Sequence, residues 1–223
     1  MDLEKQIDFF NPNNYDKEEI HIIGVGAIGS HLVEMLARMG FEDMDIYDFD
    51  DVTDHNLTNQ MFFDPQIDQK KLDAIQTTVS AINPDCKLRL HHNGWETGTR
   101  LSGHVFLAVD NIELRKAIVE ENKNNLMLKS ISDFRMGLDE AQHYFADMTK
   151  DKDKDKLLAS MQFTHEEAKA AMPVSACGTA LNVISTVRCI TSLGIANWMH
   201  QLRENEHKTY ISVNVYTADI ISF

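Results

Sequence analysis

Short apolar runs alternate along the chain with longer stretches whose apolar residues recur every three or four positions. That is the pattern of strands interleaved with helices. His21-Ile22-Ile23 predicts a short strand. His31–Met39 places Leu32, Met35 and Leu36 on one helical face, and Gly40 suits the C-terminal stop. Met44-Asp45-Ile46-Tyr47 predicts a second strand ending at Asp48. A strand–turn–helix–strand unit implies parallel strands joined by a right-handed crossover.

The alternation continues. Lys71–Ile82 carries Leu72, Ile75, Thr78 and Val79 at helical spacing, and Asn83-Pro84-Asp85 stops it. Lys87–His91 alternates as a strand, and Val105–Val109 reads as a buried strand ending at Asp110. Ile112–Lys123 predicts a helix, and Leu126–Ser132 a further strand. Residues 178–203 predict a long apolar helix containing Val183, Ile184, Val187, Ile190, Leu193 and Trp198. Tyr210–Tyr216 alternates as a strand, with Ile220–Phe223 placed to pair with it. Residues 1–18 predict a short lead-in helix and a turn. The whole is expected to be one doubly wound, Rossmann-like α/β domain over residues 1–223, with a C-terminal helix and strands.

Residues 139–172 break the pattern. The run Lys150-Asp151-Lys152-Asp153-Lys154-Asp155-Lys156 has no apolar face and is not expected to pack. We expect a mobile loop or insertion over 147–172. It reads as a solvated linker or, more sharply, as a loop that gates a substrate.

Composition narrows the class. With 43% hydrophobic residues in 223, a real core can form. The net charge of −14 disfavours a nucleic-acid backbone as partner. The start, Met-Asp-Leu-Glu-Lys-Gln, lacks a signal-peptide pattern, and no apolar stretch reaches spanning length, so no membrane role is expected. Cys86, Cys177 and Cys189 are odd in number and form no Cys-x-x-Cys pair. Reduced thiols in a cytoplasm suit them better than disulfides or a thiolate zinc site.

The candidate chemistry begins at Gly24-Val25-Gly26-Ala27-Ile28-Gly29, after a strand and before a helix. Gly24 permits the sharp turn, Gly26 lets a phosphate approach the backbone, and Gly29 lets helix and strand pack closely. The helix N-terminus that follows offers unpaired N–H groups to an anion. Asp48, at the next strand end, is placed to accept hydrogen bonds from ribose hydroxyls. Alone it does not choose between NAD and ATP.

The next residues say more. Asp48-Phe49-Asp50-Asp51-Val52 runs into Asn56-Leu57-Thr58-Asn59-Gln60, then Lys71 opens a helix. Asp110-Asn111 closes a later strand, with Arg115 shortly after. In this order the chain resembles the ThiF/MoeB/HesA family, the prokaryotic relatives of ubiquitin-activating enzymes. The resemblance covers residues 17–135 best. It implies a ThiF-like fold, a homodimer, and an adenylyltransferase. Such an enzyme uses ATP with Mg2+ to activate a carboxylate, usually the C-terminal glycine of a small ubiquitin-like protein.

By the same resemblance, Gly24, Gly26, Ala27 and Gly29 cradle the nucleotide and Asp48 holds the ribose, with Asp50 beside it. Asn56 and Gln60 brace the pocket, Lys71 contacts phosphate, and Asp110 holds Mg2+. Each has a plainer reading. Lys71 suits a surface lysine, Asp110 a helix cap, and Asn56 and Gln60 residues that order their own loop. Cys177, before the long helix, is placed either as a thiolate nucleophile at a helix start or as a small packing residue.

Two departures stand out. The family's Arg in Asn-Leu-x-Arg-Gln is Asn59 here, and no arginine precedes Arg38. Asn carries no charge to offset a phosphate. Lys70, Arg115 or a partner subunit are the candidate substitutes. His91-His92 point to opposite faces of a strand and make a poor metal pair, and His55 reads as a loop residue. The leading expectation is ATP-dependent activation of a protein or peptide carboxylate. The alternatives are a degenerate member that binds nucleotide or partner without catalysis, and an NAD-dependent oxidoreductase.

Overall fold

A computed structural model describes residues 1–15, 17–171, 174 and 181–223. Eight strands form one sheet: β1 (Ile20–Ile23), β2 (Asp43–Tyr47), β3 (Lys87–His91), β4 (Gly103–Leu107), β5 (Leu128–Met136), β6 (Glu140–Asp147), β7 (Tyr210–Asn214) and β8 (Asp219–Ser222). Their order is β3-β2-β1-β4-β5-β6-β7-β8. The five strands from β3 to β5 are parallel, and β6, β7 and β8 extend the sheet antiparallel. The fold is α/β and Rossmann-like, as the alternation predicts.

The central strands read as unbroken apolar runs because both faces are covered. Ile22 and Phe106 belong to one core, with Leu32, Leu36, Leu72, Ile75, Val187 and Trp198. Their chain neighbours Ile23, Val105 and Leu107 belong to the other, with Ile112, Ile118 and Leu157. Helices α1 (Ala27–Arg38), α2 (Lys71–Ile82) and α6 (Ile184–Glu204) cover the first face. Helices α3 (Ile112–Asn122), α4 (Asp151–Ala159) and α5 (His165–Ala171) lie on the second. Strand β8 is the exposed edge along its whole length.

Three expectations need correction. The charged run Lys150–Lys156 does pack: it forms α4, against β6. Asp151 and Asp153 sit in its first turn and Lys156 in its last, the order the helix dipole favours. Lys154 pairs with Asp151 at 2.7 Å and donates to the Lys123 carbonyl at 3.2 Å, and the His207 ring meets Asp153 at 2.9 Å. Leu157 and Met161, one turn apart, bury the apolar edge. So two helices, Asp151–Ala159 and His165–Ala171, stand where a loop was expected over 147–172, and β6 ends at Asp147 just before them.

Second, residues 1–15 hold turns and a short 3-10 helix (Pro12–Tyr15) in place of a lead-in helix. Third, α6 turns its apolar residues inward. Val187, Ile190, Ile195 and Trp198 are buried, and Trp198 packs edge-on to Phe106 at 5.2 Å. That face is therefore taken up by the core and not offered to a second copy. Among the described residues no helix is long and apolar enough to cross a membrane.

Candidate functional site

The strand order reverses between β1 and β4, and the crevice beyond their carboxyl ends is where open parallel sheets bind ligands. The glycine turn sits there. Gly24 has φ +92°, and a side chain on it would meet the Ala108 backbone at 2.9 Å. A side chain on Gly29 would overlap the Gly24 carbonyl. These two glycines are structural necessities. Gly26 differs, since an added Cβ there meets nothing within 4 Å. Gly26 is also the N-cap of α1 and brings no side-chain cap. The first N–H groups of α1, from Ala27 on, have no partner within the helix and carry its positive end.

Asp48 is 8% exposed and ties this turn to the next loop. Its Oδ2 accepts from the Val25 N–H at 2.6 Å, and its Oδ1 from the Asp50 N–H at 2.9 Å. Burial pushes its pKa upward, against the Lys71 charge and these two hydrogen bonds. Lys71 is the first residue of α2 and only 6% exposed. Its Nζ pairs with Asp50 Oδ2 at 2.7 Å, and its N–H donates to the Asp50 carbonyl at 3.0 Å. Lys71 is thus no free surface lysine. Lys70 pairs outward with Asp51 at 2.8 Å.

Asn56 takes the loop-ordering reading. It lies in a 3-10 helix (Asp54–Thr58), and its Oδ1 accepts from the Thr53 N–H at 2.9 Å. Gln60 donates its N–H to the Asn56 carbonyl at 2.9 Å. Its buried Oε1 has no hydrogen-bond partner among the described residues, and neither has Oδ1 of Asn59. Asn59 is buried. Its carbonyl meets Nε2 of His31 on α1 at 3.2 Å, and its Nδ2 contacts Asn182, just before α6.

At the end of β4, Asp110 is exposed. The helix-cap reading falls to its neighbour, since Asn111 Oδ1 accepts from the Leu114 N–H at 2.8 Å and caps α3. Arg115, one candidate substitute cation, is buried and engaged by Asp133 and the Val109 carbonyl. Burial works against its charge, and Asp133 offsets that. It is a structural cation.

Asp133 and Arg135 were missed by the sequence reading, which ended that strand at Ser132. Arg135 pairs with Asp133 at 2.7 Å and donates to the Ser160 carbonyl at 2.8 Å. The available signal was an Asp and an Arg alternating with Ile131 and Phe134 in one strand.

The remaining expectations sort quickly. Cys177 lies outside the described residues. Burial pushes the Cys86 thiol up to about 12, which suits a packing role. His91 stacks on Tyr47 with ring centroids 4.1 Å apart and meets Asp45 at 2.8 Å, while His92 lies 3.5 Å from Asp73. The two do not converge. Among the described residues no three His, Cys, Asp or Glu side chains gather as a metal site. Mg2+ does not need such a cage, because it keeps several waters and binds through one or two carboxylates plus phosphate oxygens. Asp110 fits that role, and the open face of Gly26 fits a phosphate chain.

Known proteins resemble this chain in sequence and in fold. The ThiF family model matches residues 13–208. Ubiquitin-like modifier-activating enzyme 5 of Drosophila simulans is 34% identical over 117 residues, covering 44% of this chain and 29% of that protein. The Caenorhabditis elegans enzyme of that name is 28% identical over 126 residues, covering 55% of this chain and 28% of the enzyme. The chain thus spans under a third of the curated relatives it matches. Among solved structures, E. coli MccB with ATP superposes with a TM-score of 0.74 at 14% identity, covering 96% of this chain and 67% of that one. E. coli TcdA, a tRNA N6-threonylcarbamoyladenosine dehydratase, gives 0.67 at 15% identity, covering 91% and 94%. These likenesses show the fold. With the family model spanning most of its length and the motif residues gathered at one crevice, the chain belongs to the ThiF family.

Proposed function

We propose that this protein is an ATP-dependent adenylyltransferase that activates the C-terminal carboxylate of a small ubiquitin-like protein or peptide. The observation that carries the reading is the convergence of three features at one crevice. They are the uncapped start of α1 facing open space at Gly26, the buried Lys71, and the exposed carboxylate of Asp110. Relatives support it: MccB was crystallised with ATP and with a peptide, MccA.

The residues divide the work by their chemistry. The N–H groups at Gly26 and Ala27 take the phosphate chain, and Asp48 keeps lone pairs for ribose hydroxyls while fixing the turn. Lys71, held ready by Asp50, turns from that carboxylate toward phosphate oxygens as charge builds there. Asp110 would hold Mg2+, which supplies charge neutralisation at the phosphates. The substrate carboxylate attacks the α-phosphorus, its new bond to phosphorus forms as the bond to pyrophosphate breaks, and no proton need move. The reading includes a homodimer. Ile220 and Ile221 on the edge strand β8 and Phe223 just after it are exposed, and a purely monomeric mass in solution would remove that part.

One observation favours a second reading. Asn59 replaces the family arginine, and Lys70, Lys71 and Arg115 are each ion-paired. A protein that binds nucleotide or partner without adenylating it fits that state. Pyrophosphate exchange into ATP, with candidate peptides ending in glycine, separates the two. Exchange supports adenylation. ATP binding without exchange for any peptide moves the assignment to the binding module, and a preference for NAD over ATP sinks both.

A further inference from the structure

The position that lacks an arginine is not far from one. Asn182 contacts the Asn59 side chain, so the loop bearing position 59 is tied to the chain just before α6. Helix α6 packs along α1, which starts the phosphate-facing turn. Arg188 lies on α6, one turn after Ile184, and is exposed. Its charge is felt by His31, one turn into α1. Burial is the main force lowering the His31 pKa, the hydrogen bond to the Asn59 carbonyl opposes it, and the Arg188 charge adds to the lowering. Arg188 therefore stands within electrostatic reach of His31, the α1 side chain that meets the Asn59 carbonyl.

Of the other cations near the crevice, Lys70 is held by Asp51 and Arg115 by Asp133, and Lys71, paired with Asp50, already has its own place at the phosphates in the reading above. Among the described residues Arg188 forms no ion pair and donates no hydrogen bond. An exposed guanidinium on a long stem can swing several ångströms, and its planar fork suits phosphate oxygens. The buried oxygens of Asn59 and Gln60, unpartnered among the described residues, lie in the same loop and are ready acceptors for such a donor.

We propose that Arg188 supplies from α6 the phosphate-directed positive charge that position 59 lacks. The proposal rests on the nucleotide-binding reading above and makes Arg188 a binding residue of that site. It also explains how this chain tolerates Asn59. The charge has moved from the loop to the helix that the loop touches, and Asn59 serves instead to hold loop and helix together.

The test compares ATP and adenosine titrated into the wild-type chain and into the Arg188→Gln, Arg188→Lys and Asn59→Arg/Arg188→Gln variants. Losing one charged hydrogen bond to phosphate weakens ATP binding about tenfold. Arg188→Gln is expected to lose that factor for ATP and nothing for adenosine. Arg188→Lys should keep most of the ATP affinity, and adding Asn59→Arg should restore it. ATP affinity unchanged in Arg188→Gln, or an equal loss for adenosine, would overturn the proposal and leave nucleotide binding standing. A wild-type chain that binds neither ATP nor adenosine would overturn both.

Discussion

The two ends of the parallel strands carry equally polar residues and use them in opposite ways. At the amino ends, Glu18 receives the His104 ring at 2.6 Å and Lys129 at 2.6 Å, and the other His104 nitrogen meets Ser130 at 2.7 Å. Glu19 accepts from Ser102, whose N–H reaches His21 at 3.4 Å. This network is closed, with each member engaged by another. At the carboxyl ends, α1 begins without a side-chain cap, an added Cβ on Gly26 would meet nothing within 4 Å, Asp110 stands free of the cap its neighbour provides, and two buried amide oxygens have no partner among the described residues. The unpartnered oxygens alone do not separate the two ends, since buried atoms of Trp95, Ser132, His143 and Trp198 also lack partners among the described residues. The difference lies in the uncapped helix start and the open face of Gly26, which suit a ligand at the carboxyl ends.

The comparison breaks most sharply at Asp110. Asp110→Ala is expected to abolish Mg2+-dependent ATP turnover, a loss of about a hundredfold or more, with the melting temperature nearly unchanged because the residue is exposed. Unchanged turnover would show that the metal is held elsewhere.

Within the turn, the glycines should split. Gly29→Ala forces a methyl into the Gly24 carbonyl and should cost about 1–3 kcal/mol in a denaturant titration. Gly26→Ala should leave stability within about 0.5 kcal/mol and weaken ATP binding instead. Equal stability losses would mean that Gly26 is structural too.

At the closed end the expectation is about stability only. Glu18 is held down to about 2 from an ordinary 4.5 by its hydrogen bond from His104 with help from Lys129, against the cost of burial. A lowered carboxylate pKa stabilises the fold above the unfolded value, and that contribution fades as pH falls from about 4.5 towards 2. Glu18→Gln should therefore cost about 1–2 kcal/mol at neutral pH after solvent screening, little near pH 2, and nothing in ATP affinity. A change in nucleotide binding would show that the two ends are coupled.

How far the sequence could be read follows the same physics. Elements with a strong local signal came through with their bounds nearly intact: α2 over Lys71–Ile82 and β3 over Lys87–His91 match the structure. Strand β6 did not. Glu140–Asp147 mixes polar and apolar residues, and its partners β5 and β7 lie on either side in space but are far apart in the chain. The charged run of α4 misled for a related reason. Its own residues look unable to bury anything, and only Leu157 and Met161 beyond it, with His207 from elsewhere, give it a place. In the candidate site, Gly24, Gly26, Gly29 and Asp48 were legible from spacing along one strand–helix–strand unit, and Lys71 and Asp110 only through the family resemblance. Asp133, Arg135 and Arg188 were not, because they come from later elements.

The sequence by itself determined the family, the alternation of strands and helices, and the glycine turn with the carboxylates that follow it. Those features depend on period and on neighbours close in the chain. The tertiary structure decided which of the named residues are spoken for. It placed Asn56 in its own loop, Arg115 against Asp133, and Lys71 beside Asp50. Whether a charge is paired or available depends on what lies across the fold from it, and that distance is not written in local spacing.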